Sequence, residues 1–150
     1  MKSPTAVLLA LIAGLASAEP APPDRALAIA ASDATLAWNP CPAFMPEGCA
    51  IAVLHGDPAQ PNADVFFRVP GGATVPRHWH TSAERIVLVS GELEVTYDGQ
   101  APATLTPGMY AYGPPRASHS ASCAAGAPCV LFIAFEGAVD AHASDTIASP

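Results

Sequence analysis

Four side chains of this sequence have the types and spacing to hold a metal ion: His78, His80, Glu84 and His119. Alternate residues of a strand project to the same face, so His78 and His80 enter one space while Trp79 points away. Glu84 follows a short turn at Thr81-Ser82-Ala83, and a hairpin returns it beside the two imidazoles. His119 arrives from a later strand. Three neutral imidazoles and one carboxylate suit a single divalent transition ion (Fe, Mn, Ni, Cu or Zn), and ligand type alone does not choose among these. Such an ion keeps a position for water or substrate, so it can acidify water or polarise a substrate oxygen. The bland alternative is a pair of surface strand histidines; the carboxylate at the right offset and the later His119 argue against it. His55 and His142 fit no motif and read as ordinary surface residues.

These groups need strands to carry them, and the chain offers a series of short apolar runs. They are Ala50 to Leu54, Asp64 to Val69, Thr74 to Trp79, Arg85 to Val89, Glu92 to Tyr97, Met109 to Tyr112, Ser118 to Ser122 and Cys129 to Phe135. Asp98-Gly99 reads as a hairpin turn, and Thr106-Pro107-Gly108 as another. Turn signals at this spacing predict an all-β sandwich or barrel. Residues 25–36 are ambiguous between helix and strand, Trp38 to Gly48 reads as a Pro-rich loop, and residues 137–150 read as a poorly packed tail. The 150 residues suffice for one domain; 51% are apolar and 13% charged, with 11 Gly and 17 Pro, a composition rich in turns and poor in helix.

Met1-Lys2-Ser3, an apolar stretch from Thr5 to Ala16 and Ala16-Ser17-Ala18 together read as a secretory signal peptide over residues 1–18. The chain is then exported to the periplasm or beyond, with no membrane association after cleavage. Residues 19–49 form an N-terminal arm, 50–136 the β domain and 137–150 a tail. From residue 19 onward the chain holds five Arg, no Lys and 13 acids, a net charge of −8. Nucleic acid and anionic membranes are therefore excluded as partners. The missing lysines exclude Schiff-base, P-loop and lysine-dependent penicillin-recognising chemistry. Four cysteines in an exported chain point to disulfides, and four allow three pairings. The local pairs Cys41–Cys49 and Cys123–Cys129 are geometrically easiest; a cysteine metal site is the rival, although the spacings are wider than those of zinc sites.

The stretch from Gly72 through His78, His80 and Glu84 to Gly91 resembles the first signature of the cupin superfamily, G-x5-H-x-H-x3-4-E-x6-G, at every fixed position. Gly108, Pro114 and His119 match the second signature, where Arg116 replaces a Gly and Cys123 an Asn. The resemblance implies a single-domain jelly-roll (double-stranded β-helix) barrel with a metal held by His78, His80, Glu84 and His119. The chain is most similar to small exported bacterial cupins, and the likeness implies a homodimer. Arg116 in place of Gly implies an ordinary backbone conformation there. Cys123 is too far along the strand from His119 to share its ion, which favours a bridge to Cys129.

Parity sends Arg77, Trp79 and Arg85 to the surface, and lets Ile86 and Leu88 wall the cavity with Glu84. Tyr110, Tyr112 and Arg116 are candidates for the pocket mouth, and Arg68 for an inward cation that would hold a substrate carboxylate. Three functions remain. One is a metal-dependent enzyme, a dioxygenase, oxidase, isomerase or lyase, acting on a small oxygenated molecule. The others are a small-molecule binding or sensing module, and a barrel with a structural ion. The sequence does not separate the first two.

Overall fold

The computed structural model describes residues 25–144, and every regular element in that range is a strand. The signal peptide expected over 1–18 lies outside the described residues. Eleven strands run in chain order: β1 (Asn39–Pro40), β2 (Ala50–His55), β3 (Asp64–Val69), β4 (Thr74–Trp79), β5 (Glu84–Ser90), β6 (Leu93–Tyr97), β7 (Ala103–Leu105), β8 (Tyr110–Gly113), β9 (His119–Cys123), β10 (Cys129–Phe135) and β11 (His142–Ala143). They form two antiparallel sheets, one in the order β1-β2-β3-β10-β5-β8 and the other β11-β4-β9-β6-β7. This is the jelly-roll arrangement. Among the described residues no ladder joins the two sheets, so they make an open sandwich rather than the closed barrel expected.

The core lies between the sheets. Val65, Val69, Leu88 and Leu131 come from one, Val75 and Leu93 from the other. Strand β10 sits between β3 and β5 in the middle of its sheet, and its sequence CVLFIAF is a continuous apolar run rather than an alternation, with Phe132 and Ala134 half-buried and the other five residues buried. Its outward Phe132 meets Phe66 edge to face at 6.5 Å, while Leu131, Ile133 and Phe135 turn inward. The turn at Asp98-Gly99 closes the β6–β7 hairpin: Gly99 has φ 74° and the Gln100 amide donates to the Tyr97 carbonyl at 3.0 Å.

Both local disulfides are present, with Cα separations of 5.6 Å for Cys41–Cys49 and 5.8 Å for Cys123–Cys129, ordinary values for such bridges. Two disulfides in one small domain belong to oxidising compartments. The second bridge explains why residue 91 is glycine. A Cβ there would lie 2.8 Å from the Cys129 sulfur and 2.9 Å from its Cα, and the backbone already has φ 83°.

Three sequence expectations are corrected. Residues 25–36 form neither helix nor strand but turns and extended chain. The Pro-rich loop contains the short strand β1, paired with β2. Residues 137–144 are packed rather than loose: β11 pairs with β4 and lays the His142 ring flat on Trp79, with centroids 4.2 Å apart. Stacking on an indole is a role that strand parity had not assigned to His142.

Candidate metal centre

His78 ends the inward face of β4, and His119 opens β9 directly opposite it in the same sheet. His80 lies just beyond β4. Glu84 opens β5 in the other sheet, across from Phe135 on one side and Gly113 on the other. The site is thus assembled across the sandwich rather than on one sheet. The three imidazole rings lie 4.2 to 5.4 Å apart between centroids, and one ligand atom from each falls within 4.8 Å of the others. Glu84 Oε2 is 3.3 Å from His80 Nε2 and 4.0 Å from His119 Nε2. All four side chains are buried.

Backbone carbonyls fix the histidine tautomers. His78 Nδ1 sits 2.8 Å from the Pro76 carbonyl oxygen, His119 Nδ1 3.1 Å from that of Ala117, and His80 Nδ1 is bonded to that of Asp140. A carbonyl oxygen only accepts, so each Nδ1 carries the proton and each Nε2 is left with its lone pair. This is the outer-shell arrangement typical of metal-ligating histidines. Burial opposes protonation. It brings His78 down to about 3, with His119 and His80 adding repulsion; it brings His80 to about 4 and lowers His119. Burial pushes the Glu84 carboxyl up to about 8, the Asp140 charge adding to the effect. Burial therefore works against charge on both sides of the short His80–Glu84 contact. The donor set fits a divalent cation: three neutral nitrogen donors and a carboxyl whose ionisation only a nearby positive charge would make easy.

The four residues form one end of a cavity of about 230 Å³. Among the described residues its remaining wall is mostly hydrocarbon, including Met45, Phe67, Val75, Ile86, Leu131, Ile133 and Phe135, and Asp140 is the only other ionisable residue. Exposed Pro42 and half-buried Val139 and Ala141 also line it. The Asp140 carboxylate accepts from the Thr81 amide at 2.8 Å and contacts His142 Nε2 at 3.0 Å, which ties the segment before β11 to the turn between β4 and β5.

Of the wall residues expected from parity, Ile86 lines the cavity; Leu88, on the same face of β5, is buried in the core beneath it. Tyr110 and Tyr112 are 60% and 50% exposed on the edge strand β8 and do not line the cavity. Arg68 points outward with its guanidinium 4.1 Å from the Trp38 ring centroid, and its neighbour Phe67 faces the cavity instead. Arg116 also lies off the cavity wall. Contrary to expectation it has a left-handed backbone with φ 61°, and its amide donates to the His80 carbonyl at 2.8 Å. The turn geometry that a glycine would provide is thus kept by an arginine. Arg77 pairs with Asp98 and Arg85 with Glu136, both on the surface as parity required.

Sequence reasoning missed the contributions of the two flanking segments, Met45 from the arm and Val139 to Ala141 from the tail. It also missed Tyr97, opposite His119 on β6. The Tyr97 ring lies 4.6 Å from the His119 ring, and its buried hydroxyl has no hydrogen-bond partner. Gly113 makes room for it: a Cβ there would lie 2.6 Å from the Tyr97 hydroxyl and 3.0 Å from Glu84 Oε2. Alternation along β6 was the available signal, since Tyr97 shares parity with Leu93 and Val95.

Comparison with known proteins agrees with this geometry. No curated protein sequence matches the chain. Among solved structures, the DMSP lyase DddQ from Ruegeria pomeroyi superposes with a TM-score of 0.64 at 19% identity, over 76% of this chain and 64% of that one. The polyketide cyclase RemF from Streptomyces resistomycificus gives 0.63 at 17% identity, over 77% and 84%. Oxalate decarboxylase from Bacillus subtilis, described for its Mn(II) centres, gives 0.57 at 20% identity, over 65% and 28%. This chain spans less than two thirds of the length of the lyases. At these identities the likeness is one of fold. The family model described as "Cupin domain" matches residues 65–135, which include all four candidate ligands. Together the matched signatures, the two-sheet jelly roll and the family match identify residues 65–135 as a cupin domain.

Proposed function

We propose that the protein is an exported cupin that holds one divalent transition metal through His78, His80, His119 and Glu84 and uses it on a small oxygenated molecule. The observation that carries this reading is the common orientation of the three imidazoles. Each Nδ1–H is spent on a backbone carbonyl, so three unprotonated Nε2 atoms and a buried carboxyl face one cavity. Fe, Mn, Ni, Cu and Zn all accept such donors; the Mn(II) centres named for the oxalate decarboxylase make manganese one natural candidate. When bound, such an ion supplies Lewis acidity and, for the redox-active members, electron transfer. The chain contributes the rest. Pro76, Ala117 and Asp140 hold the rings in one tautomer, Glu84 supplies the negative charge, and the apolar wall keeps bulk water from the reacting end. A catalytic oxidase, oxygenase, isomerase or lyase role accounts for the open cavity better than a structural ion, which would need no room beside it. Export is supported by the two disulfides and by the signal-peptide pattern of residues 1–18.

Elemental analysis of protein purified from its native compartment tests the site. Close to one transition metal per chain is expected in the wild type, and loss of it in His78→Ala with the fold retained. A wild-type protein free of metal after reconstitution with all five ions would discard the reading.

A further inference from the structure

We propose that the cavity takes a one-headed ligand: a ring-sized molecule with a single metal-binding oxygen group at the histidine end and an uncharged, apolar body. The metal-binding head rests on the reading above; the body rests on the cavity wall alone.

Among the described residues the wall has no positive charge. All five arginines are placed elsewhere: Arg25 is exposed in the arm, Arg68 covers Trp38, Arg77 and Arg85 pair with surface acids, and Arg116 lies 6.0 Å from the Trp79 ring centroid. The sole lysine of the chain is Lys2. Beyond the four candidate ligands the cavity presents hydrocarbon from Ile51, Phe67, Ile86, Leu131, Ile133 and Phe135, and the only other ionisable group is the acidic Asp140. A divalent ion with ionised Glu84 leaves one net positive charge, which one anionic oxygen of a ligand neutralises. A second anionic group would lie among hydrocarbon with no partner and would lose its hydration for nothing. A cationic group on the body would find only Asp140 among the described lining residues, and its carboxylate is already engaged by Thr81 and His142.

Size narrows the class further. An apolar void of about 150 Å³ accommodates benzene. At about 230 Å³ this cavity has room for a ring with one or two small substituents. Charge disfavours dicarboxylates and zwitterions as occupants.

The test uses a matched pair of probes, 4-methylcatechol and 3,4-dihydroxybenzoate, which share a chelating head and differ at the far end by methyl against carboxylate. The protein is loaded with redox-inert Zn(II), its metal content is read by native mass spectrometry, and each probe is titrated calorimetrically. The methyl compound is expected to bind at least about a hundredfold more tightly. Ala121→Leu, which extends a side chain into the cavity from β9, should weaken 4-methylcatechol about tenfold or more while Zn(II) uptake and melting temperature hold. Binding of the carboxylate compound within tenfold of its partner, or an Ala121→Leu variant that binds 4-methylcatechol as the wild type does, overturns the proposal. If the protein takes up no Zn(II), the metal reading fails by itself. The apolar body is then judged on metal-free protein, where toluene should raise the melting temperature and an unchanged value refutes it.

Discussion

Metal uptake should expel a proton from a carboxyl group rather than from imidazole. In the metal-free fold the three histidines are already neutral, with His78 near 3 and His80 near 4, so near neutrality they have no proton to give. Glu84, raised to about 8, is still protonated there. A group with that pKa holds about 0.9 proton at pH 7, about 0.5 at pH 8 and about 0.1 at pH 9, and ligation removes it. Water on the ion can ionise too, so the informative quantity is the difference between wild type and Glu84→Gln, which keeps the size and loses the acid. Calorimetric titration of Zn(II) in two non-coordinating buffers of different ionisation enthalpy gives the proton count for each. An excess of about 0.9 proton for the wild type at pH 7, shrinking toward zero by pH 9, is expected. Equal release from both proteins at pH 7, or an excess that grows as the pH falls below 6, would refute the reasoning, because either result would place the titrating protons elsewhere.

Other consequences follow from the same residues. Glu84 is raised in the fold from an ordinary 4.5 to about 8, so the stability it lends is present below the lower value and lost as pH rises through the upper one. The histidines, being lowered, cost stability only on the acid side of 6.5. The melting temperature of metal-free protein should therefore decline from pH 6.5 to 8, and that of Glu84→Gln should stay level over the same range. Arg116→Gly should stabilise the fold by about 0.5 to 1 kcal/mol, the relief of a left-handed backbone less the added freedom of the unfolded chain. Thermal unfolding should show this as a rise of about 2 to 5 °C, and a fall would mean that the arginine side chain matters more than its backbone. Gly113→Ala would place a methyl 2.6 Å from the Tyr97 hydroxyl and 3.0 Å from Glu84 Oε2. A loss of about 1 to 3 kcal/mol is expected from such crowding, together with weaker Zn(II) binding in a chelator competition.

Much of the fold was legible because its strands obey simple periodicity. Asp64 to Val69, Thr74 to Trp79 and Cys129 to Phe135 have the same ends in the sequence reading and in the structure. The candidate ligands were legible because two of them, His78 and His80, share a strand face and Glu84 follows at hairpin distance. What escaped was set by tertiary contact. Strand β11 has two residues and no pattern of its own; it exists because β4 offers an edge. Arg68 was one residue out of phase with the cavity because the β3 sequence Val65-Phe66-Phe67 is apolar on both faces, so alternation could not show which face was inward. Arg116 was expected to relax the turn; instead its backbone N–H donates a hydrogen bond to the His80 carbonyl within a left-handed geometry, and a hydrogen bond between residues so distant in the chain leaves no mark on composition.

The carbonyl of Asp140 sets the ring of His80 from 60 residues further along the chain. A ribosome therefore delivers the imidazole long before the atom that orients it. Until the segment that follows β10 is in place, one of the three rings lacks the backbone partner of its Nδ1. Shortening the chain before Asp140 would leave every proposed ligand in the polypeptide and still remove the carbonyl that orients one of them, so the matched domain alone is not the whole of the site.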